Sequence, residues 1–125
     1  MRSIVAIVDP DAATHRRVRS LLGDIDLDIF SYMSAEQFLA QREASIGCLV
    51  LEQSLPGMQG LELLAELRAN ETQLPILMVS RDAEIELAAD AIRLGANDFI
   101  DKSQLEIALP RRIAKHLRSR EASRH

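Results

Sequence analysis

The chain has 125 residues, a formal net charge of -4 and 47% apolar side chains, which fits one globular domain needing no disulfide or metal to fold. Its rings (Phe30, Tyr32, Phe38, Phe99) are too few for a surface that stacks single-stranded nucleic acid, and the acidic balance argues against a chain built wholly to coat a polyanion. A single cysteine, Cys48, excludes a disulfide framework; His15, His116 and His125 lack ligand spacing; no apolar run reaches the ~20 residues of a membrane span, and no signal-peptide pattern opens the chain, so a cytoplasmic location is expected.

Two patterns then alternate. Ser3-Ile4-Val5-Ala6-Ile7-Val8 reads as a buried strand ended by Asp9-Pro10-Asp11. Val18, Leu21 and Leu22, set among Arg16, Arg17, Arg19 and Asp24, predict an amphipathic helix stopped near Gly23. His15 falls on its charged face and is expected to be solvated. Leu27-Asp28-Ile29-Phe30 is a weaker strand, and Ser34-Ala35-Glu36-Gln37 resembles a capping box opening a second helix through Phe38 and Leu39. Gly47-Cys48-Leu49-Val50-Leu51 is apolar without alternation, as a strand covered on both faces should be. Leu55-Pro56-Gly57-Met58 is turn chemistry, followed by a third helix from about Gly60 to Ala69. Pro75 to Val79 makes a fourth strand, Ala83 to Leu94 a fourth helix stopped by Gly95, and Asp98-Phe99-Ile100 a short fifth strand. A fifth helix starts at Ser103, with a kink expected at Pro110. Such β–α alternation with short connections predicts a three-layer α/β domain, a parallel sheet covered by helices on both faces.

In a sheet of this kind the functional crevice lies at the carboxyl ends of the strands. Strand 1 ends in Asp9 and Asp11, strand 3 in Glu52, Gln53 and Ser54, strand 4 in Ser80, Arg81 and Asp82, and strand 5 in Asp101, Lys102 and Ser103. These groups should share one small polar site. The chain has no glycine-rich phosphate loop, no nucleophile elbow and no histidine at a strand end, which speaks against nucleotide binding and acyl transfer.

Four of these segments together resemble a response-regulator receiver domain over about residues 3 to 118: Ile7-Val8-Asp9-Pro10-Asp11, Leu49 through Gly60, Pro75 through Ser80, and Gly95 through Lys102. The resemblance implies a flavodoxin-like sheet of five parallel strands in the order 2-1-3-4-5 with five helices. It assigns residues 1–120 to the receiver domain and 121–125 to a tail or the start of a linker. It also implies phosphoryl transfer from a partner histidine kinase to an aspartate after strand 3, with Mg²⁺ held by that residue, the strand-1 acids and a backbone carbonyl. In this chain the corresponding metal positions are Asp9, Glu52 and Ser54, and the phosphate-site positions are Ser80, Phe99 and Lys102.

The sequence departs from the family pattern where the chemistry is concentrated. Glu52 stands at the phosphoacceptor position, with its carboxylate ~1.5 Å further out than that of an aspartate. In-line phosphoryl transfer depends on positioning, and a ~1 Å error can cost ~100-fold. Pro10 replaces the second strand-1 acid, and Asp11 comes one residue late, so a weak metal site and no bound cofactor are expected. Arg81 follows the hydroxyl where a small residue is usual, and Ser103 follows the lysine where proline is usual. Lys102 is placed to pair with Glu52. The reading is a receiver in two-component or phosphorelay signalling that works without phosphorylation, Glu52 mimicking the phosphorylated state, and that is not itself an enzyme.

Bland alternatives stand beside these roles. Ser80 could cap helix 4, Phe99 could simply pack, Asp9 and Asp11 could serve the helix N-terminus, and Cys48 reads as an inert buried thiol. The net charge also hides two unlike parts. Residues 1–110 carry 9 basic and 18 acidic side chains, whereas residues 111–125 carry 6 basic and 1 acidic. The basic set, Arg111, Arg112, Lys115, Arg118, Arg120 and Arg124, reads as an exposed helix face, a linker or a partner-binding edge. A homodimer through helix 4, strand 5 and helix 5 would pair it with Glu84, Glu86, Asp90 and Asp98. Expected partners are a histidine kinase or a downstream output protein or domain, with no membrane. Three rival readings remain: an active receiver phosphorylated in a Mg²⁺-dependent way, a DNA-associated regulator acting through the basic C-terminal helix, and a small flavodoxin-like enzyme or cofactor carrier.

Overall fold

A computed structural model describes residues 2–70, 73–82 and 84–122, with side chains as far as Arg118. The β-branched run of β1 (Ser3–Val8) forms the first strand. Asp11 caps α1 (Ala12–Leu21), its side chain accepting from Ala13 N–H. After β2 (Leu27–Tyr32), Ser34 Oγ accepts from Gln37 N–H at 3.0 Å and starts α2 (Ala35–Gln41). The return bond of the capping box lands one residue early, on Met33 N–H, which donates to Gln37 Oε1 at 2.7 Å.

Next come β3 (Cys48–Glu52), α3 (Gly60–Asn70), β4 (Ile76–Ser80), α4 (Ile85–Arg93) and β5 (Asp98–Asp101). α5 (Leu105–Ala122) runs on through Pro110. It begins later than its sequence suggests, because Lys102–Gln104 forms a 3₁₀ turn. That turn is wound by Asp101 Oδ1, which accepts from both Ser103 N–H and Ser103 Oγ at 2.9 Å. The start expected for α4 at Ala83 lies outside the described residues, as do the last three residues of the chain.

All strand pairs are parallel, and the sheet order is β2-β1-β3-β4-β5. Period-two alternation splits the core into two layers. Ala6, Val8, Leu49, Leu51, Ile76 and Met78 face α2, α3 and α4, represented by Phe38, Leu63, Leu64 and Ala91. Val5, Ile7, Val50, Leu77, Val79 and Ile100 face α1 and α5, represented by Val18, Leu22, Leu105, Leu109 and Ile113. With each buried Val, Leu, Ile, Met or Phe side chain contributing roughly 1.5–3 kcal/mol, the two layers hold the strand ends in place. The strand order reverses between β1 and β3, so the crevice opens where Asp9 and Glu52 emerge. Gly60 seats α3 there: a Cβ would lie 2.5 Å from the Glu52 carbonyl oxygen and 2.7 Å from Gln53 Cα. Only glycine lets the helix start so close to the strand end.

Candidate functional site

β1 and β3 are in register through Val8 and Leu51, which brings Asp9 level with Glu52 at the sheet edge. Lys102, immediately after β5, reaches across the end of β4 and inserts its ammonium between them. Lys102 Nζ donates to Glu52 Oε1 at 2.7 Å and to Asp9 Oδ2 at 2.8 Å. The three residues are only 5%, 5% and 2% exposed, respectively Lys102, Glu52 and Asp9. Burial works to lower the lysine pKa, but the hydrogen bonds and charges of Asp9 and Glu52 outweigh it and hold the group above its ordinary value. The outer carboxylate oxygens are occupied too. Glu52 Oε2 accepts from Ser54 N–H at 3.0 Å, and Asp9 Oδ1 accepts from Asp11 N–H at 2.7 Å.

Pro10 sits at the centre of that last turn and presents no carboxylate. Asp11 is turned to its capping role, with Oδ1 2.9 Å from Ala13 N and Oδ2 3.6 Å from the Arg81 guanidinium. A divalent cation does not fit this cleft as built. Magnesium needs near-octahedral oxygen ligation, yet Lys102 lies between the two deepest carboxylates. Among the described residues, no group of three or more His, Cys, Asp or Glu is arranged to hold a metal ion.

Ser80 and Phe99 stand apart from this triad. Ser80 Oγ accepts from Asp82 N–H at 3.1 Å and donates to Asp82 O at 3.4 Å, closing a tight turn. It does not cap α4: the N-cap position is Glu84, with no side-chain cap bond. Phe99 is half-buried and packs against the layer that faces α2, α3 and α4. Cys48 is buried in β3.

One expectation is overturned. His15 is not solvated but 5% exposed, with Nε2 2.8 Å from the Asp9 carbonyl oxygen. Since a carbonyl only accepts, Nε2 carries the proton. Nδ1 is buried without a hydrogen-bond partner. Four residues after Asp11, His15 lies one turn up the helix and points back at the strand end, a placement that the surrounding arginines disguise. Glu36 is a second group that pattern reading missed. From the first turn of α2 it reaches the β3–α3 loop and accepts from Met58 N–H at 2.8 Å, which holds its carboxyl below the usual carboxylate range.

Residues 5–114 match the family model for the response regulator receiver domain. This chain belongs to the response-regulator receiver family. The receiver is similar to the transcriptional regulatory protein FixJ of Bradyrhizobium diazoefficiens, 33% identical over 99 residues that cover 78% of this chain and 48% of that protein. It is similar also to the response regulator protein TodT of Pseudomonas putida, 35% identical over 101 residues that cover 80% of this chain and 44% of that protein. It thus spans just under half the length of these relatives. A receiver domain protein from Methanospirillum hungatei shares the fold with a TM-score of 0.88 at 23% identity, covering 98% of this chain and 99% of that one. A receiver protein from Pseudoalteromonas atlantica has a TM-score of 0.85 at 27% identity, over 93% and 98% of the two chains. The five-stranded order expected from the motifs is the order found.

The acidic partners expected for the basic helix are partly engaged within the receiver itself. Asp98 pairs with Arg112 and lies 3.4 Å from His116 Nε2, because β5 and α5 pack directly together. Asp90 pairs with Arg93 one turn along α4 at 2.8 Å. Arg111, Lys115 and Arg118 are exposed at i, i+4 and i+7 on α5, whereas the side chains of Arg120 and Arg124 lie outside the described residues. No helix among the described residues is long and apolar enough to cross a membrane.

Proposed function

We propose that this receiver domain of two-component signalling works without phosphorylation, and that Glu52 supplies at the phosphoacceptor position the charge an acyl phosphate would bring. The observation that carries the reading is the ion pair between Glu52 and Lys102 at 2.7 Å, closed on its other side by Asp9. Each oxygen of both carboxylates already accepts a hydrogen bond from this chain, which holds Glu52 in the ion pair. The charge is about -1, against roughly -1.5 to -2 for a phosphoryl group, so the mimicry engages the lysine and leaves Ser80 on its own turn.

On this reading the domain acts by contact rather than catalysis, with a kinase or an output domain or protein as partner. The face of α4, β5 and α5 supports that role, because Ile85 is 87% and Ile107 66% exposed, and the same face would serve a homodimer. The decisive experiment incubates the protein with acetyl phosphate and Mg²⁺ and weighs it intact. No adduct is expected, and stoichiometric gain of ~80 Da on Glu52 would overturn the proposal.

A further inference from the structure

β2 is an open edge of the sheet, and at six residues it is longer than β5, the four-residue strand at the other edge. Asp9 N–H donates to Tyr32 O at 3.1 Å, so Tyr32, Phe30 and Asp28 direct their main-chain groups at β1. By alternation, Leu27, Ile29 and Ser31 direct N–H and C=O away from the sheet. A long edge of this kind is a template for another strand. Here two arginines occupy it. Arg2 Nη2 donates to Leu27 O at 2.5 Å, and Arg19 Nη2 donates to Ile29 O at 3.3 Å and to Ser31 Oγ at 2.8 Å. We propose that Arg2 and Arg19 close a strand-pairing surface on β2 whose partner is a second copy of this chain.

A second copy fits because the edge is self-complementary. A two-fold axis at Ile29 sets Ile29 against itself and Leu27 against Ser31 in antiparallel register, as a symmetric contact requires. That register uses Leu27 O and Ile29 O, the two carbonyls that the arginines take. The groove beside the strand, about 400 Å³ and lined in part by Ile25, Leu27, Ile29 and Phe30, gives such a pair apolar surface to cover. Each guanidinium is also fixed in place. Arg2 pairs with Asp26 and, at 2.9 Å, with Asp28, and Arg19 is held by Ser31 Oγ. The surface lies at the opposite edge of the sheet from β5 and does not depend on how Glu52 works.

The test combines sedimentation of the whole chain with amide hydrogen exchange read by NMR, in about 0.5 M salt to screen Asp26 and Asp28 of the two copies from each other. Wild type should show fast exchange at Ile29 and Ser31, whatever its oligomeric state. Arg2→Ala/Arg19→Ala should self-associate at least ~10-fold more tightly, with both amides slowed at least ~10-fold in the dimer. Arg2→Met/Arg19→Met keeps apolar stems over the groove and removes the donors; it is the second variant should circular dichroism show that the alanine form does not fold. Slow exchange at Ile29 and Ser31 in wild type overturns the proposal, because the edge is then already paired. So does a folded double variant that associates no more tightly than wild type, or one whose dimer leaves those amides fast, as a dimer through α4, β5 and α5 would.

Discussion

Two polar clusters close the two ends of β5, and their central groups carry opposite charges. At the carboxyl end one cation, Lys102, lies between two acids, Asp9 and Glu52, with all three side chains at most 6% exposed. At the amino end one acid, Asp98, lies between Arg112 and His116, and the Arg112 side chain is 43% exposed. Burial separates their consequences. An ion removed from a buried set leaves an uncompensated charge in low dielectric, whereas water replaces most of what an exposed pair loses. The first cluster is therefore the place where a change of charge changes the molecule; the second tethers α5 to the sheet.

The sharpest way to break this contrast is Lys102→Ala. It leaves Asp9 and Glu52 facing each other without a counter-ion, and a loss of about 3–5 kcal/mol in urea unfolding is expected. The same lysine gives a pH signature. Its folded pKa lies above the ordinary value, and an unfolded lysine titrates near ~10.4. Its stabilisation is thus complete below that pH and disappears as pH climbs through the higher folded value. The urea midpoint should hold steady on approach to that range and fall beyond it, and Lys102→Met should lack this alkaline step. A wild-type midpoint indifferent to high pH would remove Lys102 as the source of stability.

Fold and site differ in how much of each is legible in the sequence. The strands announced themselves because β1, β3 and β4 are continuous apolar runs, which only a doubly covered parallel sheet requires. The strand-end residues Asp9, Glu52 and Lys102 followed from topology, since parallel strands deliver their carboxyl ends to one edge. Side-chain turns were not legible. Ser80 closes onto Asp82, and Asp101 winds the residues after β5 into a 3₁₀ turn, through local hydrogen bonds that compete with the helix start. His15 was hidden for another reason: its spacing from Val18 and Leu22 puts it on the inward side, but its neighbours Arg16 and Arg17 are exposed and a polar ring beside them reads as part of the charged face.

That histidine gives the next prediction. His15 belongs to the buried side of the comparison, because it holds the main chain at the first residue beyond β1. His15→Leu keeps the volume apolar but deletes the donor to the Asp9 carbonyl, and about 1–3 kcal/mol should be lost. The step should be accompanied by a smaller alkaline transition, as Asp9 loses its fixed position against Lys102. An unchanged urea midpoint together with an unchanged alkaline limb would show that the backbone alone positions Asp9.

Arg112→Ala probes the other end of β5 and should have the smallest effect, about 0.2–1 kcal/mol. Its guanidinium is half open to solvent, and His116 remains beside Asp98 in the variant. The loss should also fade with salt, because the screening length falls from ~10 Å at 0.1 M to ~3 Å at 1 M, whereas the cost of Lys102→Ala should persist. A residual salt-independent loss of a few tenths of a kcal/mol is consistent with lost packing of a long arginine stem. A salt-insensitive loss as large as that of Lys102→Ala would mean that Asp98 is held in an equally desolvated set. The two ends of β5 would then differ in sign alone, and the distinction between a charge-sensitive edge and a structural tether would fail.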